Sequence, residues 1–215
     1  MTKAKKKPTI LVSSTVYGIE ELLDRIYTIL TTFGYEVWMS HKGTLPVQSN
    51  KSAFANCLHA VGECDLFLGI ITPTYGTGKE GSDLSIVHKE INQAIKLNKP
   101  RWLLAHEQVV FARRLLSDLG HGKPQQRRKL QLKDSAKSIT DLRVIDMYEE
   151  AILHAEPLSE RNGNWVQKFS TDEDALLFAS AQFSRFQEVE RFIQENMANP
   201  DSANTQTKIR KGDVK

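Results

Sequence analysis

A chain of 215 residues with 40% apolar residues can bury one hydrophobic core, so a single domain is expected. Its formal net charge of +3 does not require a nucleic-acid or membrane partner, and no apolar run has the length of a membrane span or the position of a signal peptide. The two cysteines match no metal-site spacing, so we expect a cytoplasmic protein with reduced thiols, no metal and no resident cofactor.

Strands and helices are predicted to alternate through the first half of the chain. A basic arm, residues 1–7, precedes the first strand, and Gly34 follows the first helix where a helix C′ glycine belongs. The run at residues 65–71 is apolar almost throughout, which is typical of a strand buried on both faces. In order, the predicted strands are residues 9–13, 35–39, 65–71 and 100–105, and the helices between them are residues 19–32, 52–61 and 85–97.

The second half begins with an insertion, residues 106–140, that a five-stranded unit does not need. Its first part, residues 109–119, is predicted to be helical, and its second part is rich in basic residues. This basic part is either a solvated loop or an arm that contacts phosphate or nucleic acid, and the lack of interleaved aromatic residues favours the loop. The basic part contains His121, Lys123, Arg127, Arg128, Lys129, Lys133 and Lys137.

Beyond the insertion, residues 142–151 fit either a strand or the start of a helix. A fifth strand is predicted at residues 165–169. The helix after it opens at residues 170–171 with capping-box chemistry and runs to about residue 196. The tail, residues 198–215, is small, polar and charged, and we expect it to be disordered.

Alternating strands and helices of these lengths form βαβ units with right-handed crossovers. We therefore predict an α/β fold of the flavodoxin-like class over residues 8–197. It is a three-layer sandwich with a parallel sheet in the order 2-1-3-4-5. In this order the switch point lies between strands one and three, and ligands bind there at the carboxyl ends of the strands.

Glu90 is an anomaly in the helix that follows the third strand. At helical spacing it lies on the face that Ile86, Ile91 and Ala94 make apolar. A buried carboxylate without a partner is costly, so such a position indicates a partner, a wet crevice or chemistry. Because this helix begins at the predicted switch point, we take Glu90 as the candidate catalytic residue.

Two loops are predicted to converge on the switch point beside Glu90. The loop after the first strand offers hydroxyls and backbone N–H groups that suit phosphate or ribose, although the same residues can simply cap the first helix. The loop at residues 72–83 carries glycines that we interpret as a flexible lid, and its tyrosine either stacks on a base or anchors the loop. The candidate ligand-binding residues are Ser13, Ser14, Thr15, Tyr17, His41, Tyr75, Gly76 and Ser85.

A single carboxylate restricts the possible chemistry. The sequence contains no Cys/His metal cluster, no acyl-transfer triad motif and no P-loop. Breaking the bond between a ribose and a good leaving base builds positive charge on the sugar, and a well-placed carboxylate stabilises that state or attacks it. Nicotinamide leaves NAD without needing a general acid. One glutamate therefore suits NAD better than an ordinary glycoside, whose hydrolysis needs two carboxylates.

Several motifs near the predicted switch point together resemble a known family. They are Ser13-Ser14-Thr15, Asp24-Arg25, the run Cys64-Asp65-Leu66-Phe67-Leu68-Gly69-Ile70-Ile71, Tyr75-Gly76, Glu90 and Lys99-Pro100. The family is a group of bacterial TIR-like domains of unknown function that often open larger, NTPase-containing signalling or defence proteins. The resemblance spans roughly residues 8–105 and resumes weakly at residues 165–183.

The resemblance implies a role for Glu90. TIR domains that cleave NAD use a glutamate on the helix after the third or fourth core strand, and Glu90 fits this role. Related deoxyribosyltransferase-like folds also use one glutamate on the ribose carbon. The implied chemistry is therefore attack on, or stabilisation of, that carbon.

Two functions from different classes are open at this point. The first is an enzyme that binds NAD or a related nucleotide and cleaves its N-glycosidic bond with Glu90. The second is a non-catalytic module that senses a nucleotide, or that assembles with itself or with a signalling partner through the basic insertion. In both cases we expect a small nucleotide ligand and neither nucleic acid nor a membrane as partner.

Overall fold

Parallel strands form one sheet that is covered by helices on both faces. The structure is a computed structural model that describes residues 7–76 and 84–185, together with residues 188 and 191. The strands are β1 (Thr9–Ser14), β2 (Glu36–Trp38), β3 (Leu66–Ile71), β4 (Arg101–His106) and β5 (Val166–Phe169). The helices are α1 (Glu20–Thr32), α2 (Ala53–Glu63), α3 (Ile86–Lys96), α4 (Glu107–Asp118), α5 (Pro124–Arg127), α6 (Arg143–Ala151) and α7 (Asp172–Phe183), with a 3-10 turn at Leu158–Glu160.

The sheet has the strand order β2-β1-β3-β4-β5, and every adjacent pair is parallel. This order confirms the predicted flavodoxin-like α/β fold and places the switch point between β1 and β3. In the register of that pair, Ser13 lies opposite Gly69 and Ser14 lies opposite Ile70. The carboxyl ends of the two strands therefore lie side by side, where the two following loops begin.

Side chains of the central strands enter two hydrophobic layers, because successive residues of a strand point to opposite faces. Ile10 and Val12 pack in the layer that contains α1 and α7, whereas Leu11 packs in the layer that contains α2, α3, α4 and α6. All residues of β3 are buried, as predicted for a central strand that is covered on both faces.

The element boundaries lie within one or two residues of the predicted ones through β4. The ambiguous segment is helix α6, whose buried residues include Val144, Ile145 and Met147. Thr171 caps α7, since its hydroxyl accepts the Asp174 N–H and the Asp174 carboxylate accepts the Thr171 N–H. The prediction of one continuous last helix to about residue 196 is wrong, because α7 ends at Phe183 with Ser184 as its C-cap, and Ser184 and Arg185 are not helical. Most of the basic arm, most of residues 186–196 and the tail lie outside the described residues. Of the helices that the structure describes, none is both long and apolar enough to cross a membrane.

The expectation of a solvated or ligand-facing basic segment is wrong for Arg127, which is only 2% exposed. Its guanidinium donates to the carboxylates of Asp146 and Glu149 on α6, and to the carbonyl oxygen of Gly122 at 2.7 Å. A buried guanidinium is tolerated when its donors are satisfied in this way. The neighbouring Arg128 is exposed. Periodicity alone cannot distinguish the two arginines, because the acidic partners lie on another helix.

Gly69 gives space to a side chain of the neighbouring strand β4. A Cβ atom at this position would lie 2.6 Å from Cδ2 of Leu103 and 3.5 Å from Cγ1 of Ile91. Leu103 is fully buried on the neighbouring strand β4, and Ile91 of α3 would be at ordinary contact distance. The missing side chain at Gly69 therefore leaves space for Leu103 in the core.

We expect Arg127→Ala to lower the free energy of unfolding by about 3–5 kcal/mol, because it leaves two largely buried carboxylates without their cation. Arg128→Ala is the matched control, and it should change the free energy of unfolding by less than about 0.5 kcal/mol. Urea denaturation of both variants measures the difference. Equal effects would contradict the structural role assigned to Arg127.

We expect Gly69→Ala to lower the free energy of unfolding by about 1–3 kcal/mol, because the new methyl group overlaps the buried Leu103 side chain of β4. Gly62→Ala on α2 should act in the opposite direction. A Cβ there meets no atom within 4 Å, and alanine in a helix is more favourable than glycine by about 0.5–1 kcal/mol. Chemical denaturation should therefore show changes of opposite sign.

Candidate functional site

Glu90 lies in the second turn of α3, directed toward the end of β1. Ser85 caps this helix, and its hydroxyl oxygen accepts the His88 N–H. The cap fixes where the helix starts and so which residues turn toward the sheet. Ser13 lies on the same face of β1 as Leu11, and its hydroxyl donates to the Glu90 carboxylate at 2.5 Å. Both side chains are buried, with Ser13 3% and Glu90 7% exposed.

Burial dominates the electrostatics of Glu90. It raises the pKa of the carboxyl group from its ordinary 4.5 to about 7, and hydrogen bonds from Ser13 and Cys57 act in the opposite direction. Burial, together with the nearby Glu90 charge, raises the pKa of the Cys57 thiol to about 12, so this α2 thiol stays protonated at neutral pH. The Glu90 carboxyl group therefore titrates near neutral pH, which suits a site for acid–base or ionic chemistry.

Neither Arg25 nor Arg101 pairs with the Glu90 carboxylate. Arg25 pairs with Glu173 at 3.2 Å, and Arg101 donates to the carbonyl oxygen of Asn162 at 2.8 Å. Among the residues that the structure describes, the ion pairs do not include Glu90. The same residues contain no His, Cys, Asp and Glu group that could hold a metal ion.

The two switch-point loops meet at Thr15 and Gly76. Thr15 is 7% exposed, and its hydroxyl oxygen lies 3.3 Å from the place where a Cβ of Gly76 would be. Gly76 has a φ of +89°, a conformation that residues with a side chain rarely adopt. Ser14 uses its hydroxyl within the protein, since it donates to the carbonyl oxygens of Thr15 and Ile70. The predicted lid falls mainly on residues 77–83, which lie outside the described part of the chain.

Tyr75 is a loop anchor in this structure. The residue is 1% exposed, and its backbone N–H donates to the Thr140 hydroxyl at 3.0 Å. The Arg143 guanidinium lies over the ring at 4.9 Å, and the His88 ring meets it edge to face. This geometry fits the anchoring interpretation and leaves little ring surface on which a base could stack.

In the described part of the chain, neither Tyr17 nor His41 forms a hydrogen bond or an ion pair with Glu90. Tyr17 is 68% exposed in the loop before α1. His41 lies 3.3 Å from the Asp24 carboxylate on α1, and Lys42 pairs with the same carboxylate at 2.5 Å. Placement after a strand is therefore not enough to bring a residue into the site, because the loop direction also matters.

Sequence reasoning missed three side chains that the structure brings to this region. Cys57 occupies the apolar stripe of α2, where its contact with Glu90 has no sequence signature. His88 on α3 contacts Glu150 of α6, which lies 62 residues away along the chain. Long-range pairs of this kind carry no periodic signal.

Two cavities lie around α6, away from the contacts of Glu90. One, of about 440 Å³, is lined by residues that include Arg128, Leu132 and Arg143. The other, of about 460 Å³, is lined by residues that include Ile95 and Glu150. Both have volumes in the range of small-molecule sites, but neither includes the buried carboxyl group that marks the switch point.

The raised pKa of Glu90 predicts a specific pH dependence of stability. The folded state binds a proton more tightly than the unfolded state between pH 4.5 and about 7, so this group's contribution to stability falls as pH rises through that window. The total loss is about 3 kcal/mol, from roughly 1.4 kcal/mol for each pKa unit.

Glu90→Gln keeps the shape of the side chain and removes this titration. Its gain in unfolding free energy over the wild type should therefore be larger at pH 8 than at pH 4.5, by about 3 kcal/mol. Urea denaturation across this range measures the difference. Glu63→Gln, at the exposed end of α2, is the matched control for the loss of one carboxylate. A pH-independent offset for Glu90→Gln would contradict the raised pKa.

Comparison with known proteins gives a family but no described activity. No curated protein matches the chain. A crystal structure described as that of a conserved protein from Enterococcus faecalis V583 is similar, with 13% sequence identity and a TM-score of 0.41, over 82% of this chain and 99% of that chain. The sequence model of the family described as "Domain of unknown function (DUF4062)" matches residues 9–198. The chain therefore belongs to the DUF4062 family.

Proposed function

We propose that this domain binds a nucleotide at the carboxyl ends of β1 and β3, and that Glu90 cleaves the bond between its ribose and base. The observation that supports this proposal is the environment of Glu90. It is a buried carboxyl group at the switch point, held by the Ser13 hydroxyl, with a pKa raised to about 7. Such a group is costly to a fold, which is a common feature of functional sites.

NAD is the nucleotide that suits this site best. Its nicotinamide ring carries a positive charge, so binding the ring near Glu90 would lower the pKa of the carboxyl group and favour the ionised form. The substrate would thereby generate the catalytic carboxylate on binding. A neutral base would not provide this effect, and its departure would need a proton donor.

The proposed reaction breaks the bond between the ribose C1′ atom and the nicotinamide nitrogen. The bonding electron pair moves to the ring, which leaves as neutral nicotinamide. The Glu90 carboxylate stabilises the positive charge that develops on the ribose, or forms a transient bond to C1′. A water molecule then adds to C1′ and loses one proton. The products are nicotinamide, ADP-ribose and a proton.

Ser13 has a positioning role in this proposal. Its single hydroxyl proton is donated to Glu90, so its oxygen lone pairs remain able to accept a hydrogen bond from a ribose hydroxyl. Thr15 and Gly76, at the meeting point of the two loops, are the neighbouring candidates for contacts with the ribose or phosphate. The resemblance to TIR-like domains supports the same assignment, since it implies a ribose-directed role for Glu90.

A second candidate function is a non-catalytic module that senses a nucleotide or assembles with copies of itself or a signalling partner. Phe111, Leu115 and Leu119 favour it, because they are 66%, 44% and 62% exposed at successive helical spacing along one face of α4. Many TIR domains also carry a Trp-Cys pair just before the glutamate, and this chain has Val87-His88-Lys89 there instead.

Incubation with NAD, followed by measurement of released nicotinamide, tests the enzymatic proposal. We expect turnover by the wild type and a fall of about 100-fold or more with Glu90→Gln, because the variant lacks the charge that stabilises the transition state. Glu63→Gln is the matched control, since it removes an exposed carboxylate from the adjacent helix α2 and should leave the rate unchanged.

Equal inertness of wild type and Glu90→Gln, over a range of protein concentrations that allows assembly, would overturn the enzymatic proposal. Saturable NAD binding without release of nicotinamide would instead support the sensing module. Calorimetric titration with NAD distinguishes that outcome from a site that binds no nucleotide.

A further inference from the structure

A chain of buried polar groups runs beneath the start of α3. The hydroxyl of Tyr75 accepts the Ser85 N–H at 3.2 Å and lies 2.8 Å from Nδ1 of His88. The other ring nitrogen of His88, Nε2, lies 2.8 Å from the carboxylate of Glu150 on α6. Tyr75 is 1% exposed, and Ser85 and His88 are fully buried.

One arrangement of protons satisfies every donor in this chain. Partial burial opposes ionisation of Glu150, but its hydrogen bonds and its interaction with His88 hold its pKa below the ordinary value, so it is a carboxylate that only accepts. Nε2 of His88 must then carry the proton and donate it. The Tyr75 oxygen accepts the Ser85 N–H, and when Nδ1 of His88 carries no proton this nitrogen is the acceptor for the Tyr75 hydroxyl proton. Each donor in the chain therefore has an acceptor.

The chain controls the orientation of α3. Tyr75 satisfies the N–H of Ser85, the capping residue of this helix. His88 and Glu90 are separated by roughly 200° around the axis, so the helix is held on one side by Glu150 and on the other by Ser13. A rotation or shift of α3 that keeps one of these contacts breaks the other.

We propose that Tyr75, His88 and Glu150 are positioning residues, which orient α3 and thereby direct the Glu90 carboxylate toward the bound ribose. This inference rests on the function proposed above and extends it. It also assigns a role to the region between β4 and β5, since α6 supplies Glu150, and the Thr140 hydroxyl and the Arg143 guanidinium hold Tyr75 in place. None of the three residues touches the reacting atoms in this proposal.

The test compares Tyr75→Phe and Glu150→Ala with the control Tyr148→Phe. The phenylalanine at residue 75 keeps the ring and removes only the hydroxyl, and the Glu150 side chain is 46% exposed, so both variants are expected to fold. The control makes the same Tyr-to-Phe change on α6. Glu150→Gln is a conservative rescue, because its amide oxygen still accepts the proton of Nε2.

Two quantities that do not require enzyme activity test the positioning role. Amide hydrogen exchange at Ser85 and the first turn of α3 should become about tenfold faster in Tyr75→Phe and Glu150→Ala, and the titration of Glu90 followed by carbon NMR should shift. Both should stay near the wild-type values in Tyr148→Phe and Glu150→Gln. If Tyr75→Phe and Glu150→Ala also match the control, the positioning role is overturned.

With NAD as substrate, the positioning role predicts that kcat falls at least tenfold in Tyr75→Phe and Glu150→Ala while KM changes little. A rise in KM alone would overturn it. If the wild type releases no nicotinamide, the proposed function fails. The exchange and titration measurements then still decide whether these residues orient Glu90.

Discussion

The burial of Glu90 against Ser13 is the constraint on which this site depends. Gly69 lies opposite Ser13 in the parallel register, and its missing side chain leaves space that Leu103 of β4 fills. Helix α3 packs against β1, and the Ser13 hydroxyl donates to the Glu90 carboxylate at 2.5 Å. The packing that closes the hydrophobic core thus also removes a carboxyl group from water, at the edge of the sheet where ligands bind in this class of fold.

Burial of Glu90 opposes folding and favours the proposed chemistry through the same physical effect. Low solvation raises the pKa of the carboxyl group to about 7, and hydrogen bonds from Ser13 and Cys57 only partly offset it. A cationic ligand would recover this desolvation energy by pairing with the carboxylate, which is why a positively charged base fits the proposal better than a neutral one. A surface glutamate in water would gain much less from the same ligand.

The region between β4 and β5 is part of the supporting structure of the domain. Arg127 of α5 pairs with two acidic residues of α6, which ties the insertion to the layer of helices beside α3. Helix α6 also carries Glu150, whose carboxylate lies 2.8 Å from Nε2 of His88. The basic residues of this segment therefore have different environments, since Arg127 is buried in an ion pair and Arg128 is exposed to solvent. The apolar face of α4 is a separate feature that the sensing-module alternative would use.

Local sequence patterns predicted the strands, the helices and the strand order, but not the contacts between distant side chains. Apolar periodicity and glycine placement located the strands and helices, and their alternation implied the parallel order 2-1-3-4-5, because right-handed βαβ crossovers leave few alternatives. The same periodicity singled out Glu90 as a charge in an apolar arc, which the buried position agrees with. Only the tertiary structure paired Ser13 with Glu90, Arg127 with α6, and His88 with Glu150, and it separated Tyr17 and His41 from that group. The physical reason is that side-chain hydrogen bonds between distant segments depend on helix packing distances and loop directions, which leave no period in the sequence.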